Sequence, residues 1–111
     1  MNKVLLTAFF LKKAKRLLKK YHTLQKSLVE LENALILNPK MGISYGSNIY
    51  KIRLADESKG KGKSGGFRVI TYVIEETSEA TDIYLITIFD KSEEASIDKD
   101  NIKEILQAEG L

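Results

Sequence analysis

The 111-residue chain is 43% hydrophobic and 30% charged, a balance typical of one soluble domain with a single core. It contains no cysteine, which excludes disulfides and thiolate metal sites and fits a reducing cytoplasm. The net charge of +3 hides an asymmetry, because residues 1–74 hold 15 Lys+Arg against 4 Asp+Glu, whereas residues 75–111 hold 3 against 11. This distribution predicts a positive face for a polyanionic partner, although lysines that merely solvate helices would give the same counts.

The first third of the chain predicts a strand and a helical hairpin. Residues 3–7 form a short apolar run, and Thr7 can cap a basic amphipathic helix whose apolar stripe consists of Phe10, Ala14, Leu17, Leu18 and Tyr21. Thr23 can cap a second helix, in which leucines recur at i, i+4, i+7 and i+11 until Pro39 ends it. The apolar run at residues 4–11 is shorter than the roughly 20 residues of a membrane span, so we expect no membrane partner. A calmodulin-target or membrane-surface role remains the alternative for the basic helix.

The rest of the chain predicts three more strands and a last helix. Residues 41–48 hold two glycines and are expected to form a loop, after which the period changes to two and puts Lys51 and Arg53 on one face of a strand. Residues 67–75 and 82–89 are apolar on both faces, as central strands are, and residues 75–81 supply the turn. Asp98 can cap the final helix. The expected fold class is therefore α+β: one domain over residues 1–111, with a small twisted antiparallel sheet of about four strands, an N-terminal helical hairpin and a C-terminal helix.

A lysine-glycine loop lies between the predicted strand that carries Lys51 and Arg53 and the predicted strand at residues 67–75. Six cations occur within eighteen residues against only two acids, and they are Lys51, Arg53, Lys59, Lys61, Lys63 and Arg68. Residues 60–65 match GxGxxG formally, but a strand follows where a dinucleotide site needs a helix, and the P-loop pattern fails for the same reason. A flexible solvated hairpin loop and the edge of a nucleic-acid site both remain open for this segment.

Metal and triad chemistry have little to build on in this sequence. His22 is the single histidine and falls between the two predicted helices. The acidic residues near the C-terminus match neither a calcium loop nor a paired-carboxylate site by spacing. We therefore expect no metal and no cofactor.

Four segments in this order and spacing resemble the RelE/ParE toxin superfamily, most closely its HigB-type branch: YKIRL at residues 50–54, SKGKGKSGG at 58–66, FRVITY at 67–72 and FDKSE at 89–93. The resemblance covers nearly the whole chain. It implies a small antiparallel sheet with an N-terminal helical hairpin, cleavage of messenger RNA on the translating ribosome, and inhibition by a cognate antitoxin of a type II system. It also implies that translation stops until the antitoxin neutralises the toxin.

The resemblance carries the family's basic active-site positions onto Lys51, Arg53, Arg68 and Lys91. We expect Arg68 to grip the scissile phosphate, Lys51 and Arg53 to line the strand beside it, and Lys91 to stabilise charge or donate a proton. The RNA 2′-hydroxyl attacks the adjacent phosphate, so cations suffice and no metal is obligatory. A lysine crowded by other cations has a lowered pKa and can transfer protons near neutral pH, whereas an arginine stays protonated.

Other residues are expected to bind RNA and ribosome. Ile97 stands where some members have a tyrosine, so base stacking is assigned to Phe89 or Phe67. Lys59, Lys61 and Lys63 are expected to hold ribosomal RNA or message backbone. Two alternatives stay open, namely a gyrase inhibitor of the ParE branch and a non-catalytic module that binds RNA or a protein partner. A labile antitoxin encoded next door is expected to cover the basic cleft, an edge strand or the hairpin.

Overall fold

The chain folds around a mixed five-stranded sheet in the computed structural model, which describes residues 1–59, 66–94 and 96–111. The elements follow the order β1 Lys3–Leu6, α1 Ala8–Lys20, α2 Leu24–Leu37, β2 Ile43–Gly46, β3 Ile49–Leu54, β4 Phe67–Thr77, β5 Ala80–Asp90 and α3 Lys99–Ala108, with a 3₁₀ turn at Glu57–Lys59. The strand order is β1-β5-β4-β3-β2, in which β1 runs parallel to β5 and the other pairs are antiparallel. None of the helices in these described ranges has the length and apolarity needed to traverse a lipid bilayer.

The structure confirms the α+β class, the helical hairpin, the β3-β4-β5 meander and the last helix, and it corrects the sheet. The expected loop at residues 41–48 contains β2, a four-residue edge strand paired with β3. The alternation of β2 is not visible in the sequence, because its register shifts between Ser44 and Gly46. Ser47 and Asn48 then turn the chain with φ of 54° and 66°. The sheet is also not purely antiparallel, since β1, the first strand of the chain, pairs in parallel with β5, the last strand.

Two of the three predicted helix caps have the expected hydrogen bonds. Thr7 Oγ1 accepts from the backbone N of Phe10 at 3.1 Å, and Asp98 Oδ1 accepts from that of Asn101 at 2.8 Å. Thr23 does stand at the N-cap of α2, but its hydroxyl donates to Asp56 Oδ2 at 2.6 Å instead of accepting a helix N–H. The start of α2 is therefore tied to the segment after β3, a contact that propensity alone does not indicate.

The sheet has two unequal faces. The hairpin face, which α1 and α2 cover, contributes to a cluster of fifteen buried residues among those described, including Leu17, Ile88 and Phe67. The α3 face carries a smaller cluster of six, in which Ile102 and Leu106 of α3 pack on sheet residues such as Ile86. Because α3 covers only part of its face, polar side chains of β3 and β4 share that face with the smaller cluster.

Candidate functional site

Cations from two neighbouring strands meet at one end of the α3 face. Arg53 of β3 and Arg68 of β4 are Cα partners in the antiparallel register, and Arg68 is in turn the partner of Phe89 on β5. Lys51 lies two residues before Arg53, on the same face and opposite Ile70. Directly opposed residues of an antiparallel pair have Cβ atoms about 5 Å apart, so the two arginines form the centre of a cationic cluster.

Arg68 is the buried member of this cluster, with 4% of its surface exposed. Burial lowers the pKa of its guanidinium, and the positive charge of Arg53 lowers it further. One nitrogen, Nη1, donates to the carbonyl oxygen of Phe67 at 3.2 Å. A guanidinium remains protonated at any working pH, so this end of the sheet keeps two positive charges side by side and favours an anion there.

Lys51 is held at the edge of the cluster by an aromatic ring of the neighbouring strand. Its Nζ lies 5.3 Å from the centroid of the Tyr45 ring, within the range of a cation–π contact. Tyr45 itself packs against the α3-face cluster. The missed strand β2 thus supports a predicted site residue.

Lys91 reaches the same end of the sheet through the turn that follows β5. Its backbone N donates to the carbonyl oxygen of Gly66 at 3.2 Å, which places it beside the start of β4, two residues from Arg68. Gly66 also lets the end of β3 pass close by, because a Cβ there would lie 2.2 Å from the carbonyl oxygen of Leu54. The backbone therefore brings all four predicted catalytic positions to one end of the sheet.

Two of the predicted RNA-binding residues, Phe67 and Lys59, lie away from the cationic cluster. Phe67 is fully buried on the hairpin face, with its ring edge-on to Tyr21 at 5.1 Å, so it has no surface for a base. Lys59 is 13% exposed and its ammonium binds Asp90. Lys61 and Lys63 lie outside the described residues.

Phe89 lies on the α3 face, next to Arg68, with 2% of its surface exposed. It lines a cleft of about 550 Å³ between α1 and α3. Ile97, which stands at the expected tyrosine position, lines the same cleft. Phe89 is thus the one of the two predicted aromatic residues that borders an open space.

The sequence did not predict two buried carboxylates, each of which accepts hydrogen bonds from several side chains. Asp56 accepts from Thr23, Ser27 and Ser58, and Asp90 accepts from Tyr21, Lys59 and Ser92. A serine follows each aspartate by two residues, in DES and DKS, and such a pair indicates a local turn closed by the carboxylate. The more distant donors could not be read from the sequence.

The described residues contain no group of three or more His, Asp or Glu side chains arranged to hold a metal ion. The chemistry available at the site is that of guanidinium and ammonium groups. These groups bind phosphate oxygens, and the ammonium groups can also exchange protons.

The fold and the cationic cluster define a small α+β protein with a surface suited to a phosphate-rich partner. A family model described as the RelE toxin of the RelE/RelB toxin–antitoxin system matches residues 2–110. The chain therefore belongs to the RelE toxin family, and the predicted superfamily is confirmed. It is a toxin of a toxin–antitoxin system, in a family whose members are generally endoribonucleases and act with an antitoxin.

Proposed function

We propose that this toxin is a ribosome-dependent endoribonuclease that cuts messenger RNA without a metal ion. The observation that carries the proposal is the direct pairing of Arg53 with Arg68 on the α3 face, with Lys51 on the same face and the Lys91 backbone bonded beside the start of β4. Adjacent cations at one point of a surface suit a single phosphodiester better than a long stretch of backbone.

The proposed reaction uses the RNA as its own nucleophile. The 2′-oxygen forms a bond to the adjacent phosphorus while the bond from phosphorus to the 5′-oxygen breaks. The 2′-hydroxyl gives its proton to water, and the leaving 5′-oxygen takes one from an ammonium group of the cluster or from water, giving a 2′,3′-cyclic phosphate and a 5′-hydroxyl. The enzyme must align the two oxygens and neutralise the charge that develops on the phosphorane.

Each cation has a proposed role that follows from its chemistry. Arg68 grips the phosphate, because its guanidinium is a permanent charge fixed beside Phe89, and Arg53 adds the second permanent charge. Lys51 and Lys91 are the members of the cluster that can exchange protons. Lys91 protonates or stabilises the leaving oxygen, and Lys51 orients the RNA strand on the side of the attacking 2′-oxygen.

The test is cleavage of a defined message in a purified translation system, with message ends mapped for the wild type, Arg68→Ala and Arg68→Lys. We expect Arg68→Ala to lower the cleavage rate by about 10²-fold or more, and Arg68→Lys to keep part of the rate because it retains charge without the fork. Lys40→Ala is the control, because Lys40 is exposed and its ion pair with Glu75 lies outside the turn that carries Lys91. A 2′-O-methyl group at the mapped position should block cutting, and the same message without ribosomes should stay intact.

Other outcomes would identify the alternatives. Growth arrest with intact messages and blocked DNA supercoiling would indicate a gyrase inhibitor of the ParE branch. Salt-sensitive RNA binding without cutting would indicate a binding module. Equal rates for wild type and Arg68→Ala would reject the proposed site.

We also propose that the antitoxin places an acidic segment over the cationic cluster, since the four cations that would bind message would bind such a segment equally well. The partners are then the antitoxin, the message and ribosomal RNA, and the place of action is the cytoplasm, where messages are translated. Expression of the toxin alone should stop growth, and co-expression of its neighbouring antitoxin should restore it. Harmless accumulation of the toxin alone would contradict this proposal.

A further inference from the structure

A buried charged network lies directly behind the cationic cluster, on the hairpin side of the sheet. The Asp90 carboxylate is fully buried and accepts from Tyr21 Oη at 2.7 Å, Lys59 Nζ at 2.9 Å, and both the backbone N and Oγ of Ser92 at 2.9 and 2.8 Å. Burial alone would raise the pKa of Asp90, but the hydrogen bonds from Lys59, Tyr21 and Ser92 outweigh it and hold that pKa well below its usual range. The group is therefore an anion under all ordinary conditions.

Lys59 is the charged partner that offsets the desolvation of this buried anion. Its ammonium lies 4.9 Å from the ring centroid of Tyr21 and 5.8 Å from that of Phe67, and 13% of its side chain is exposed. The network thereby joins three segments that are distant in sequence, namely the end of α1, the 3₁₀ turn and the end of β5. Lys59 therefore lies on the hairpin side of the sheet, whereas Arg53 and Arg68 lie on the α3 face.

Asp90 also controls the turn that carries Lys91. Its side chain accepts from Ser92, and its carbonyl oxygen accepts from the backbone N of Glu93 and of Glu94, both at 3.0 Å. Between these anchors, the backbone N of Lys91 donates to Gly66 at 3.2 Å. Asp90 therefore anchors the turn on which Lys91 lies, and we expect a displaced carboxylate to move Lys91 relative to the start of β4.

We infer that Lys59, acting through Asp90, is a positioning residue that holds Lys91 beside Arg68 for phosphodiester cleavage, an inference that rests on the proposed function. Removing the ammonium leaves a buried carboxylate short of a charged donor, and the turn must rearrange to bring water or another donor to it. A displacement of about 1 Å at a reacting group lowers a rate by about 10²-fold.

The first experiment measures message cleavage by Lys59→Met, Lys59→Arg and the control Lys40→Met, whose lysine pairs with Glu75 on the exposed surface. We expect Lys59→Met to lower kcat by about 10²-fold with KM nearly unchanged, Lys59→Arg to restore most of the rate, and Lys40→Met to behave as wild type. A rise in KM at constant kcat for Lys59→Met would overturn the inference, because it would make Lys59 an RNA-binding residue.

A double-variant comparison tests whether Lys59 acts through Lys91. In a Lys91→Ala background, Lys59→Met should cost no more than about twofold, because the group that it positions is already absent. In an Arg53→Ala background, it should keep nearly its whole effect. Equal losses in the two backgrounds would indicate a general weakening of the fold and would overturn the inference.

Hydrogen exchange supplies a measurement that does not depend on cleavage. The amide of Lys91 should exchange at least about tenfold faster in Lys59→Met than in wild type, and at the wild-type rate in Lys40→Met. Unchanged exchange would overturn the inference, whereas a wild type that cuts no message would reject the proposed function and leave the exchange result standing. If Lys59→Met does not fold, Lys59→Gln replaces it, because glutamine removes the ammonium but keeps a neutral donor, and wild-type cleavage and exchange in that variant would also overturn the inference.

Discussion

The two faces of the sheet use charged side chains in opposite ways. On the hairpin face, the buried anions Asp56 and Asp90 are each surrounded by donors, and an apolar cluster of fifteen described residues fills the space between the helices and the sheet. On the α3 face, the apolar cluster is smaller and Arg53 stands directly opposite Arg68, so like charges are adjacent. The comparison indicates that one face provides stability, while the other gives up some stability to keep positive charge ready for an anion.

The largest expected effect is on stability, and it compares one isoleucine on each face of the sheet, both on β5. Ile88 and Ile86 of β5 are both fully buried, but Ile88 belongs to the hairpin-face cluster and Ile86 to the α3-face cluster. We expect Ile88→Ala to lower the free energy of unfolding by about 4 kcal/mol and Ile86→Ala by about 3 kcal/mol, because α3 can settle into the space left under it. Urea unfolding of the two variants checks this. A greater loss for Ile86→Ala would show that the α3 face is the more tightly packed one.

The next effect concerns Asp56, a buried anion that accepts hydrogen bonds from hydroxyl groups. Burial would raise the pKa of this carboxyl, but hydrogen bonds from Ser27, Ser58 and Thr23 outweigh it and lower the pKa. A lowered folded-state pKa stabilises the protein above the unfolded value of about 3.9, and that contribution is lost as the pH falls through the folded-state pKa. Asp56→Asn should therefore cost about 2 kcal/mol at pH 7, and the difference from wild type should shrink below about pH 4.

Urea unfolding at several pH values measures that difference. The exposed neighbour Glu57 supplies the control, since Glu57→Gln removes a carboxylate with little burial. A constant difference between wild type and Asp56→Asn across the acid range would mean that the charge of Asp56 does not contribute to stability.

A smaller effect of opposite sign is expected on the cationic face. Replacing Arg53 by glutamine removes the like charge opposite Arg68, so Arg53→Gln should raise the free energy of unfolding by about 0.5 kcal/mol while it slows cleavage. The gain should be greater at low salt, where charges are less screened. Paired measurements of urea midpoint and cleavage rate check it, and a variant that loses stability would break the comparison between the faces.

The smallest effect is expected at the exposed ion pair of Lys40 and Glu75, whose side chains are 56% and 53% exposed. Lys40→Ala should leave the urea midpoint unchanged within error, because exposed pairs gain little from their mutual attraction. A clear loss would show that ion pairs stabilise this protein even outside the buried network.

The local patterns were sufficient for much of the fold. The alternation in β3 predicted that Lys51 and Arg53 share a face, and the structure puts them there because a strand's period of two is a local property. The leucine spacing in α2 and the caps at Thr7 and Asp98 were readable for the same reason. β2 was missed because four residues with a register shift carry too little pattern to distinguish them from a loop.

By itself, the sequence determined the family, every helix and strand except β2, and the residue types of the candidate site, since periodicity, capping and charge are written within a few neighbouring residues. Only the tertiary structure decided that Arg53 opposes Arg68, that Lys59 binds Asp90 across 31 positions, and that Phe67 faces the core. Strand register and buried ion pairs depend on which segments meet across a long loop, and that choice is made by the packing of the whole core.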